Sequence, residues 1–142
     1  MAGTLEETTM QVSRITAVLL AEDVRPCAQF WVERLGFEKT VEVPDGDGVA
    51  FVSLNKGKTE VMYQSYASVE KDAPQAVSSQ ARRGPTFLYV EVSHLDEVKA
   101  AMKGVEVVMP ERLAFYGARE ITVKDPAGHF VTFAQFGSGQ QG

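Results

Sequence analysis

The stretch RITAVLLAEDVRPCAQFWVERLGFEKTVEV, residues 14–43, decides the fold, because its hydrophobic period changes twice. Residues 14–20, RITAVLL, combine β-branched and aliphatic side chains and stop at Glu22-Asp23, which reads as a buried strand. Asp23 is placed to cap a helix, and Pro26 falls in the first turn, where its missing N–H does no harm. Val24, Cys27, Phe30, Trp31, Arg34 and Leu35 then recur at helical spacing until Gly36, the expected terminator.

Three short strand-like runs follow, FEKTVEV at 37–43, VAFVSL at 49–54 and TEVMYQ at 59–64. The turn-forming stretches Pro44–Gly48 and Asn55–Lys58 separate them, so the three form an antiparallel meander. The order is βαβββ. Residues 65–84 lose the alternation and gain Ser, Ala, Gln and charge, as a linker carrying a short helix would.

The same order then begins again. TFLYVEV at 86–92 alternates as a strand, Ser93 and Asp96 suit a capping box, and Leu95, Val98 and Met102 give an apolar helix face closed by Gly104. Strands are expected at 105–109, 119–124 and 129–136, with a loop over 110–117. The fold class is therefore α+β: one domain over 14–137, built of a first βαβββ module at 14–64, a linker at 65–85 and a second module at 86–136. A sheet with one helix cannot bury both of its faces. Pairing two such units, within a chain or between chains, encloses a concave space suited to a ligand.

Composition narrows the function classes. At 142 residues the chain can bury roughly two-thirds of its unfolded surface in one core. Fourteen basic against nineteen acidic residues, a net charge of -5, disfavour nucleic acid, whose phosphates require clustered Lys and Arg. No run approaches the ~20 apolar residues of a membrane span, and the polar start MAGTLEETTMQVSR lacks the features of a secretion signal, so a cytoplasmic location is expected. The single cysteine, Cys27, lies within the helical pattern with no histidine beside it, and reads as a buried structural thiol.

FWVERLGFEK at 30–39 and GAREITVKDPAGHFVTF at 117–133, at the ends of a βαβββ repeat, resemble the vicinal oxygen chelate superfamily. It includes glyoxalase I, extradiol dioxygenases, fosfomycin resistance enzymes and bleomycin resistance proteins. The resemblance implies curved mixed sheets around a cleft. It also implies, for the enzymes, a divalent metal held by His, Gln or Glu at matching strand positions. Those positions fall here on Thr16, Glu60, Phe87 and Thr132, of which only Glu60 has a first-rank ligand side chain. A one-residue shift brings Ile15, Ala17, Thr86, Leu88 and Val131, which are no better. The expectation is no metal and no cofactor.

Without the metal set, the chain looks most like the metal-free bleomycin resistance proteins. That likeness implies a homodimer binding a small molecule of cationic, aromatic character. Candidate cleft residues are Phe51, Glu60, Met62, Phe87, Tyr89, Phe115, Tyr116 and Arg119, where aromatic walls and a few polar groups suit a flat organic ligand. Several of these could equally pack the sheets, and Glu60 could be an ordinary paired carboxylate. The competing reading is a metal-dependent lyase, isomerase or dioxygenase of the same superfamily. Acid–base catalysis by Glu60 with Tyr89, Tyr116 or Arg119 is a third.

Overall fold

The computed structural model describes residues 10–74 and 84–137. The chain runs β1 (Ala17–Ala21), α1 (Val24–Gln29, continued by a π-helical turn Phe30–Arg34), β2 (Glu38–Asp45), β3 (Gly48–Lys56) and β4 (Thr59–Ser65). After α2 (Tyr66–Asp72) it repeats the pattern as β5 (Phe87–Glu91), α3 (Leu95–Ala101), β6 (Val107–Leu113), β7 (Ala118–Lys124) and β8 (Phe130–Phe136). Residues 75–83 of the expected linker lie outside the described residues.

Each module is a four-stranded mixed sheet, ordered β1-β4-β3-β2 and β5-β8-β7-β6. The first strand lies parallel to the last because the helix carries the chain across before the meander returns. The two orders are identical, so the sequence repeat is a structural repeat.

Local chemistry accounts for most boundaries. Asp23 caps α1 by accepting from Arg25 N at 3.1 Å. The π turn widens the end of the helix, and Phe37 N reaches back to Trp31 O across Gly36, whose φ is +74°. Ser65 caps α2, within the stretch expected to carry a short helix. Besides shifts of one or two residues, three boundaries differ from expectation. α3 starts without the Ser93–Asp96 capping box: Ser93 Oγ pairs with the His94 ring, and Gln135 Oε1 accepts from Leu95 N at 2.7 Å instead. β1 starts at Ala17 rather than Arg14. β6 runs on through Pro110 to Leu113, where a loop is expected; it is an edge strand with register breaks, a setting that tolerates a missing N–H.

A single hydrophobic cluster joins the modules. It takes Leu19, Trp31, Leu54 and Tyr63 from the first and Leu95, Val123, Val131 and Phe133 from the second. The face of each sheet that carries its helix thus supplies the shared core.

Candidate functional site

Strand alternation sorts the expected site residues onto faces. On β4, Val61, Tyr63 and Ser65 enter the core, while Glu60, Met62 and Gln64 alternate with them on the other face, opposite Asn55, Ser53 and Phe51. On the second sheet Val131 and Phe133 enter the core, and Tyr89, Thr132 and Thr122 form a row across β5, β8 and β7 on the other side. Phe51 and Met62 thus belong to the first sheet, and Phe87 and Tyr89 to the second.

Glu60 is only 11% exposed at its side chain, and its carboxylate is occupied. It accepts from Ser53 Oγ and, at 3.5 Å, from Thr16 Oγ1, and it pairs with Arg14 at 3.3 Å. Of the other metal positions, Thr132 shares a hydrogen bond with Thr122 at 2.7 Å, and Phe87 packs against Phe130 with centroids 4.9 Å apart. His129 accepts from Thr86 N through Nδ1 and meets Leu20 O through Nε2, both at 2.8 Å. No three His, Cys, Asp or Glu residues are grouped to hold a metal ion among the described residues. The side chains present do not fit a divalent metal site.

A cleft of about 730 Å³ opens between the modules. Its lining takes Glu60 from the first module and Tyr89 from the second, with the apolar Trp31 and Phe133. Arg34, Lys56, His94 and Glu97 supply its polar lining. Arg34 joins the two modules by donating to the carbonyls of Ala101 and Lys103, both at 2.9 Å. Of the eight expected residues, Glu60 and Tyr89 are those that line this cleft.

From Tyr89 the outer face of the second sheet continues to a carboxylate that sequence reasoning passed over. Glu120 is 2% exposed, and its Oε2 accepts from Tyr89 OH at 2.6 Å and from Tyr116 OH. Arg112 lies 3.4 Å from Oε1. Burial works against the charged form of Glu120, but hydrogen bonds from both phenols and from Arg112 outweigh it and hold its pKa below the ordinary value. Burial, and then the bond to Glu120, push the Tyr89 phenol up. Around the cluster Tyr89 and Tyr116 are 49% and 42% exposed, and Phe115, edge-on to Tyr116, is 98% exposed.

Arg119, expected beside Tyr116 over the opening, sits instead on the opposite side of β7, held by Glu111 at 2.7 Å and Asp96 at 2.8 Å. The clue to Glu120 was available in REITVK, where alternation with the apolar Ile121 and Val123 puts Glu120 and Thr122 on one face.

A sequence model of the Glyoxalase/Bleomycin resistance protein/Dioxygenase superfamily matches residues 12–133. No curated protein matches the chain closely enough to count as a relative. Among solved structures, a glyoxalase/bleomycin resistance protein/dioxygenase from Nocardioides is similar with a TM-score of 0.70 at 18% identity, over 97% of this chain and 93% of that one. Lactoylglutathione lyase from Agrobacterium tumefaciens gives 0.67 at 18%, over 89% and 96%. A bleomycin-binding protein from Streptomyces verticillus, complexed with copper(II)-bleomycin, gives 0.63 at 24%, over 92% and 100%. At these identities the likeness is one of fold.

Proposed function

The chain belongs to the Glyoxalase/Bleomycin resistance protein/Dioxygenase superfamily, and from that membership we propose that it binds and sequesters a small, antibiotic-like organic molecule rather than converting it. The observation that carries this reading is the state of the metal positions. Three of the four are Thr16, Phe87 and Thr132, and the one carboxylate, Glu60, is already engaged by Ser53, Thr16 and Arg14. Lewis-acid chemistry needs about three protein ligands around one ion.

The proposed contacts are Phe51, Glu60 and Met62 in the first module and Phe87, Tyr89, Phe115 and Tyr116 in the second, largely aromatic with few polar groups, which suits a flat ligand. The bleomycin-binding protein of Streptomyces verticillus supports the reading as a protein of this fold that holds such a molecule. The proposed working unit is a cytoplasmic homodimer. In support, Val18, Val41 and Val43 stay exposed on the outer face of the first sheet, and a second copy would cover them. No helix among the described residues is long and apolar enough to cross a membrane.

The test is metal content by mass spectrometry on protein purified without a metal-affinity tag, before and after incubation with Zn²⁺, Fe²⁺, Mn²⁺ and Ni²⁺, followed by titration with cationic aromatic antibiotics. Metal-free protein that binds one ligand per protomer is the expected result. Near-stoichiometric metal, with turnover abolished by chelator, would replace this reading with the metal-dependent lyase, isomerase or dioxygenase.

A further inference from the structure

The Tyr89–Glu120–Tyr116 cluster has a polarity that the proposed binding surface inherits. A phenol has one proton to donate and lone pairs to accept with. Here both hydroxyls donate to the same carboxylate oxygen, so neither has a proton left for a ligand. Glu120 itself is buried beneath them, and the Arg112 guanidinium is directed at its other oxygen. What faces outward is a pair of acceptor oxygens set between aromatic rings, with Phe115 completing the wall beside Tyr116.

Burying a carboxylate to hold two half-exposed hydroxyls is an expensive way to build a sheet face. Water could satisfy both phenols, and an apolar side chain in place of Glu120 would escape the desolvation penalty. The cluster makes sense if the orientation of those two protons matters to something outside the chain.

Resting on the reading that this face binds a ligand, we infer that Glu120 fixes Tyr89 and Tyr116 as an acceptor-only pair, selecting planar ligands that present an N–H or O–H donor at the ring edge. Glu120 is a positioning residue. The ligand touches the phenols and the flanking rings.

Two neutral probes that share a ring system separate this from simple aromatic stacking: 2-naphthol, which carries an O–H donor, and 2-methoxynaphthalene, which does not. Both are titrated into the full chain and followed by amide chemical shifts of β5, β7 and the 114–117 turn. The expected result is about fivefold tighter binding of 2-naphthol, the worth of one ordinary hydrogen bond. In Glu120→Gln, whose amide donates toward the phenols and turns one of them around, that preference shrinks while 2-methoxynaphthalene affinity holds. The double variant Tyr89→Phe/Tyr116→Phe keeps both rings and removes the acceptors, so it erases the preference even if Glu120→Gln fails to fold. Equal binding of the two probes by the wild-type chain would overturn the acceptor pair and leave the binding face standing. Absence of shifts with either probe would overturn both readings.

Discussion

The Tyr63 hydroxyl, on β4 of the first module, donates to Asp125 Oδ2 of the second at 2.6 Å. The Tyr63 oxygen also accepts from Trp31 Nε1 at 2.9 Å, so one phenol links the end of α1, the last strand of its module and the turn before β8. Asp125 Oδ1 in turn accepts from the backbone N–H of Ala127 and His129, which shapes that turn. Trp31, Tyr63, Asp125 and His129 are all buried, where an unpaired polar group is costly.

Tyr63→Phe removes the shared atom and leaves Trp31 Nε1–H and one Asp125 oxygen unsatisfied. A loss of about 1–3 kcal/mol is expected in urea unfolding, with the m-value unchanged. A loss below about 0.5 kcal/mol would mean that water reaches the site and that the link between modules is not what the geometry suggests.

Cys27 lies on the buried face of α1 with no exposed surface, and burial, reinforced by the charge of Asp125, pushes its thiol up to about 12. At pH 8 the folded protein should therefore react with a disulfide reagent only as fast as it opens, and denaturant should make the thiol reactive at once. Rapid labelling of the folded chain would place Cys27 outside the core.

How much of this could be read from the sequence depended on which signal each element carried. The βαβββ order was legible because Asp23, Pro26 and Gly36 punctuate a helix whose apolar residues keep one period, and because the glycine-rich turns after it separate short alternating runs. β6 was misjudged at Pro110, since sequence alone cannot distinguish an edge strand, where proline is harmless, from a loop. The cap of α3 was misjudged because the group that accepts from Leu95 N comes from Gln135, forty residues away. That Glu60 and Tyr89 line the cleft while the other six do not depends on how the two modules pack, which no local pattern records. Arg119 is favoured by its place beside the expected loop at 110–117, and Glu120 is not singled out, although Tyr89, Tyr116 and Arg112 make burial of its carboxylate tolerable.

Acid should weaken the packing of α3 on the second sheet in a defined window. The Arg119 guanidinium, helped by Lys99, draws the Glu111 carboxyl from 4.5 down to about 2. A carboxyl depressed in the folded state contributes stability above its unfolded pKa and loses it as pH falls through the folded one. The Glu111 contribution is thus complete above about pH 4.5 and fades toward pH 2. Glu111→Gln should be slightly less stable than wild type at pH 7, by under about 1 kcal/mol because the pair is partly exposed, and equal to it near pH 2. A gap that persists unchanged to pH 2 would assign the effect to packing rather than charge.

Gly36 ends α1 at φ +74°, between Leu35 and Phe37, which both line the cleft. A Cβ there would meet only the flexible end of Lys56, 3.0 Å away, so the space can be made and the backbone sets the cost. For an L side chain in that region it is about 1–2 kcal/mol. Gly36→Ala should lose that much in urea unfolding. Gly48→Ala is the control, at a glycine outside the positive-φ set whose nearest new contact is Asp45 O at 3.6 Å, and it should lose little or nothing. Because Arg34 holds α1 to the α3 carbonyls two residues before the glycine, the Gly36→Ala strain should also appear as amide shifts at Ala101 and Lys103. Stability loss without those shifts would show that the helix end relaxes on its own and that the cleft is not coupled to how α1 terminates.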